Sequence, residues 1–313
     1  MNPQLGILFK VLSVVLFVSM FACIKGAGEA VPVGEIVFFR SLFALPPILL
    51  WVVARGGFPE RLRARDRLGH LWRGVLGVSA MSLGFVAVGL LPFPEVIAIG
   101  YASPLFATVL AAMFLGERLR AYRLTAIALG LAGVLLVLSP RLSLFGGPAL
   151  ERVADVAHLE ALGALAALSS AFLAALAQVF ARRLVLTETT AAIVFWFTIT
   201  STALSLLTLP FGWRWPAPEA AGLLVCAGLL GGVGQILLTE GYRHAEMAVI
   251  APFEYVSMLL SLAIGWFVFG ETPTRAMIGG AILVVIAGLV ILRRERQLGL
   301  ERARARAAAP TQG

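Results

Sequence analysis

Residues 248–270 read AVIAPFEYVSMLLSLAIGWFVFG, and the one charged residue in them is Glu254. A helix that crosses a bilayer needs about 20 mostly apolar residues, so this run is long enough to span. A carboxylate buried in such a run costs about 2.5–3.5 kcal/mol on insertion scales, so it must face a wet cavity or a partner rather than lipid. Helical spacing puts Ser257, Ser261 and Gly265 on the same face as Glu254, a small and polar stripe. Leu259, Leu262, Trp266 and Phe269 fall on the other faces and suit lipid or packing.

The rest of the chain has the same character. Of 313 residues 60% are hydrophobic and 13% charged, with a mean hydropathy of +0.94. Soluble domains are nearer half apolar and a quarter charged, so a water-exposed surface cannot be built from this sequence. Ten apolar runs are long enough to span, at about 5–24, 34–54, 72–91, 95–115, 123–139, 159–181, 188–210, 217–240, 247–269 and 275–292. Turn chemistry separates them, as at Gly56-Gly-Phe-Pro59, Pro92-Phe-Pro94, Pro216-Ala-Pro218 and Glu271-Thr-Pro273. The runs are continuously apolar and lack a period of two, which makes them helices and not barrel strands. The first is read as a transmembrane helix, not a cleaved signal, because it is long and nine more follow.

Cys23 and Cys226 lie in apolar runs and imply neither a disulfide framework nor a metal site, and the three histidines show no ligand spacing. No GxxxxGK[ST] loop occurs, so no ATPase is expected, and no cofactor either. The spans hold no nucleophile–base pair, which argues against an enzyme.

Arginine sets the expected orientation. With the N-terminus on side A, that side holds Arg55, Arg61, Arg63, Arg65, Arg67 and Arg73; Arg118, Arg120 and Arg123; Arg182 and Arg183; Arg243; and six arginines from Arg293 onward. Side B holds Lys25, Arg141, Arg152, Arg214 and Arg275. This imbalance predicts that both termini are cytoplasmic. The formal charge of +8 is then a topology signal and does not imply a nucleic-acid partner. The tail after Arg293 has the charge to touch anionic lipid, at about 1 kcal/mol per basic residue near the surface.

The chain also repeats itself. At an offset of 154, Tyr101 meets Tyr255, Ser103 meets Ser257, Leu105 meets Leu259, and Gly116-Glu117 meets Gly270-Glu271. Five spans per copy is an odd number, so the second copy starts on the opposite side of the membrane. Inverted repeats of this kind recur in secondary transporters, where two equivalent halves exchange conformations to give inward- and outward-open states. The expected fold is therefore an all-α polytopic membrane protein of ten transmembrane helices in two inverted five-helix repeats. The first repeat covers 1–140 and the second 159–292, with a periplasmic linker at 141–158 and a basic cytoplasmic tail at 293–313.

Several stretches resemble the EamA-type drug/metabolite transporter superfamily, across essentially the whole chain. They are Phe38-Phe-Arg-Ser-Leu-Phe-Ala44, Glu95-Val-Ile-Ala-Ile-Gly-Tyr-Ala-Ser-Pro-Leu-Phe106, Leu115-Gly-Glu-Arg-Leu119 and Phe269-Gly-Glu-Thr272. Ala251-Pro-Phe-Glu-Tyr255 is similar to a subgroup that includes transporters of S-adenosylmethionine and of riboflavin. The resemblance implies a ten-helix fold with a central cavity lined mainly by spans 1, 3, 4, 6, 8 and 9. It implies transport of a small organic metabolite across the bacterial inner membrane, without ATP hydrolysis. The alternatives are a broad-specificity drug/metabolite exporter and a non-transporting polytopic protein.

Candidate binding or coupling residues follow from depth. Glu254 would hold a cationic or hydrogen-bonding group of the substrate, or a coupling proton, or be satisfied within the fold. Its counterpart in the first repeat is Gly100, so the symmetry breaks at the carboxylate. Arg40 would hold a ligand or satisfy groups nearby such as Glu35. Gln178 and Gln235 can bind a ligand or a neighbouring helix. Tyr101 and Tyr255 suit gates or stacking platforms, or else an interfacial belt, and Ser103 and Ser257 belong to the polar stripes. Glycine-rich spans 3, 5 and 10 suit close packing, within the bundle or at a homodimer contact; the sequence leaves both open.

Overall fold

The structure is a computed structural model that describes residues 3–28, 31–56, 58–115, 121–138, 154–185, 187–244, 253–254, 256–283, 285–287 and 289–290, with 293 and 297. Tyr255, Pro252, the stretch 116–120, most of the expected linker and the tail from 298 onward lie outside the described residues.

Secondary structure among the described residues is helical. In chain order the helices are α1 Pro3–Ala27, α2 Val33–Leu42, α3 Leu45–Ala54, α4 Arg67–Leu90, α5 Phe93–Gly100, α6 Ala102–Leu115, α7 Ala121–Leu138, α8 Ala154–Val185, α9 Thr190–Leu206, α10 Pro218–His244 and α11 Val256–Phe269. A last one, α12, is Arg275–Ala287. Among the described residues, five segments are long and apolar enough to cross a membrane: Gln4–Ala27, Val33–Ala54, Arg67–Leu90, Leu159–Val185 and Pro218–Gly241. Shorter apolar helices occupy Phe93–Ala107, Ala128–Val137, Thr190–Leu206, Val256–Phe269 and Arg275–Ala287. Large apolar side chains such as Leu50, Trp266 and Phe267 point outward, as expected where lipid replaces water.

Local chemistry sets the ends. The Asp66 carboxylate caps α4 by accepting from the Gly69 N–H at 2.8 Å, and Thr189 caps α9 through Ala192 N–H at 3.1 Å. Pro32 and Pro92 sit at the N-caps of α2 and α5, where a missing N–H costs nothing.

Three of the expected runs differ from a single continuous helix. The second is split at Phe43-Ala44 and the fourth at Tyr101. Hydropathy does not register the cause: Pro46 and Pro104 have no N–H for the carbonyls four residues earlier, at Leu42 and Gly100. In the ninth, α11 is described from Val256, and Glu254 lies in a tight 3-10 turn just ahead of it.

Two pairings dominate the bundle, α1 along α10 and α4 along α8. Several glycines pack within the chain. A Cβ on Gly280 would collide with the Gly133 carbonyl oxygen, one on Gly77 would meet Phe197 at 2.7 Å, and one on Gly232 would meet the Ala44 carbonyl oxygen at 2.7 Å.

Candidate functional site

Four helices meet around the carboxylate that the sequence singles out. Lys10, two turns into α1, forms an ion pair with Glu254; the lysine side chain is 6% exposed and the glutamate 44%. The Ser257 hydroxyl, at the start of α11, donates to the Glu254 carbonyl oxygen at 2.6 Å. The Tyr101 hydroxyl lies 2.7 Å from the same Ser257 oxygen. With the serine proton committed to the carbonyl, Tyr101 is the donor in that contact. Tyr101 can reach across because it sits at the break between α5 and α6, where its buried ring is free of a continuous helix register.

The stripe on α11 turns inward as the spacing predicts: Ser257, Ser261 and Gly265 are buried, while Leu259 and Trp266 are exposed. Phe269 instead packs on Phe93, at 6.1 Å between ring centres. A second pair of candidates meets between α8 and α6, where Gln178 Nε2 donates to Ser103 Oγ at 3.3 Å. The side-chain amide of Gln235, on α10, has no partner among the described residues; the Gln235 backbone carbonyl accepts from Thr239 Oγ1 at 2.8 Å.

Arg40 lies apart from Glu254. It is 2% exposed and is not paired with Glu35, whose Oε2 accepts the Arg214 N–H at 3.2 Å. Its guanidinium rests instead on α10, where a Cβ at Gly231 would lie 3.0 Å from Nε and 3.1 Å from Nη2.

Sequence reasoning missed two lysines. Lys10 stands about 8 Å above the start of the first apolar run, close to the depth of Glu254 in its own run, so the signal was present in the spacing. Lys25 looks like an ordinary loop cation, yet it closes the opposite end of the same two helices. Its Nζ lies 2.8 Å from Glu271 Oε1 and donates to the Leu91 carbonyl at 2.9 Å. Glu271 Oε2 accepts the Phe93 N–H at 2.8 Å, and the lysine sits 5.5 Å from the centre of the Phe269 ring.

The chain is similar to known proteins along most of its length. The chain is 29% identical to the pseudopaline exporter CntI of Pseudomonas aeruginosa, over 93% of this chain and 97% of that protein. It is 32% identical to a riboflavin transporter of Rhizobium johnstonii, over 82% of this chain and 78% of that protein. It is 25% identical to an S-adenosylmethionine uptake transporter of Rickettsia bellii, over 84% of each. A solved crystal structure superposes with a TM-score of 0.67 at 23% identity, over 95% of this chain and 99% of its own, which shows a shared fold. The model of the EamA-like transporter family matches twice, at residues 4–139 and 161–293, and the chain is a multi-pass membrane protein that belongs to that family.

Proposed function

We propose that this protein is a secondary active transporter of a small organic metabolite, working by alternating access in the bacterial inner membrane with both termini cytoplasmic. The observation that carries the reading is the Lys10–Glu254 pair. It joins α1 of the first half to the turn before α11 of the second, and its carboxylate stays partly open. A cationic group of the cargo, or a proton on Glu254, competes with Lys10 for the same oxygens. Either one loosens the contact between the halves, and this is how occupancy becomes motion.

The helix pairings support ten spans in two inverted five-span halves. If each span corresponds to the one five places later, α1 against α10 and α4 against α8 become the same contact written twice. The relatives include an exporter and uptake transporters, so the family fold serves both directions.

The test is uptake into proteoliposomes of labelled S-adenosylmethionine, riboflavin, amino acids and quaternary amines, with and without a pH gradient. The wild-type protein runs beside Glu254→Gln. We expect the variant to lose at least tenfold in rate and to ignore the gradient. Equal rates in both would remove Glu254 from the transport cycle.

A further inference from the structure

Away from Glu254, the interior holds buried donors with no acceptor among the described residues. Arg40 Nε and Ser41 Oγ, neighbours on α2, are both buried without a hydrogen-bond partner, and so is Arg73 Nη1 on α4. The nearby carboxylates are engaged elsewhere. Glu35 takes the Arg214 N–H, and Glu188 takes the N–H groups of Arg65 and Asp66 at 2.6 and 2.8 Å. The Arg73 guanidinium stacks over the Phe197 ring of α9 at 4.5 Å, and α2 and α4 both pack against α9. Buried guanidinium groups with unsatisfied hydrogens are an unfavourable arrangement unless something of opposite sign joins them.

The backbone around the cluster is shaped to admit a long side chain. Gly231 of α10 leaves the volume that the Arg40 guanidinium fills, beside the Met20 sulfur of α1. The arginine of α2 thus reaches past its own helix to the faces of α1 and α10. Guanidinium forks match planar oxyanions two bonds at a time, a geometry that a lysine ammonium does not supply.

We infer that Arg40, Arg73 and Ser41 form a subsite for an oxyanion carried by the transported molecule, a carboxylate or a phosphate. The inference rests on the carrier reading, because it assigns a chemical group to the cargo. With Lys10–Glu254 it gives the protein two poles, one for each sign of charge, and a zwitterionic or acidic metabolite is the class of cargo that fits.

The test uses the purified full-length chain in a non-ionic detergent without added lipid, so that no headgroup supplies the anion. Thermal unfolding is followed while sodium succinate, glutamate, citrate or inorganic phosphate is titrated in. Succinamide and glutamine at matched ionic strength serve as uncharged controls. We expect a saturable rise in Tm with at least one oxyanion and none with the amides; which anion acts separates carboxylate from phosphate. The apparent Kd should weaken at least tenfold in Arg73→Gln and in Arg73→Lys, which keeps the charge but loses the fork. Arg73→Lys keeps the question answerable if Arg40→Gln, packed on Gly231, does not assemble. Flat titrations with all four anions, or equal affinity in the Arg73 variants, would overturn the subsite. Transport is read separately: vesicle uptake without anion binding leaves the carrier and removes the subsite, whereas anion binding without uptake of any compound does the reverse.

Discussion

The two ends of α1 are each tied to the second half by a lysine and a glutamate, and the two ties are built differently. At Lys25 both side chains are 17% exposed, and each partner has a further backbone contact: the lysine to Leu91, the glutamate to Phe93. At Lys10 the lysine is buried and the glutamate is 44% exposed, on a tight turn just ahead of α11. The first pair is saturated with hydrogen bonds and seals a junction of α1, α4, α5 and the end of α11. The second has a half-open carboxylate to which an incoming group has access. Equal chemistry at both ends thus gives a bolt and a latch, and the difference lies in how many other groups hold each carboxylate in place.

The largest effect should come from the sealed end. Glu271→Gln leaves Lys25 with carbonyls but without its counter-charge, and should cost about 2–4 kcal/mol, read as a lower thermal midpoint in detergent. A midpoint like that of wild type would mean that this end is no tighter than the other. At the open end, Glu254→Gln should cost less stability, about 1–2 kcal/mol, while abolishing uptake. The reverse change, Lys10→Gln, should cost less still, because the carboxylate it abandons is already half exposed. If Lys10→Gln proves the more damaging of the two, the asymmetry described above is wrong. The smallest effect belongs to Tyr101→Phe, which deletes one hydrogen bond to Ser257. It should cost about 0.5–1.5 kcal/mol and slow uptake only a few-fold, and a total loss of uptake would promote Tyr101 to a direct ligand of the cargo.

Much of this was legible in the sequence because the bilayer simplifies the problem. Run length located the helices, and helical spacing put Ser257, Ser261 and Gly265 on the buried face. What the sequence could not show was pairing between distant spans. Lys10 and Glu254 are 244 residues apart, and only the packing of α1 against α11 makes them partners. Arg40 had a plausible local partner in Glu35, but Glu35 bonds instead to the backbone of Arg214. The split at Phe43-Ala44 escaped because hydropathy sums side chains, while Pro46 acts on a backbone hydrogen bond; Pro104, inside the fourth run, already marked the bend at Tyr101. Glycine-rich faces were recognised, yet whether they served the bundle or a dimer was a question of geometry. The described glycines of spans 5 and 10 contact their own chain.

The glycines of α10, the eighth span, have a mechanical consequence. Gly228 would place a Cβ 3.0 Å from the Arg40 carbonyl oxygen, and Gly232 would place one 2.7 Å from that of Ala44, so α10 meets the second span backbone to backbone. At Gly228 and Gly232 few rotamers have to rearrange when the surface slides, and the Arg40 side chain seated at Gly231 is the group that must move with it. Shear along α10 is therefore cheap in steric terms, and a single methyl at Gly232 would act as a brake on a bearing, slowing the cycle before it disturbed any ligand.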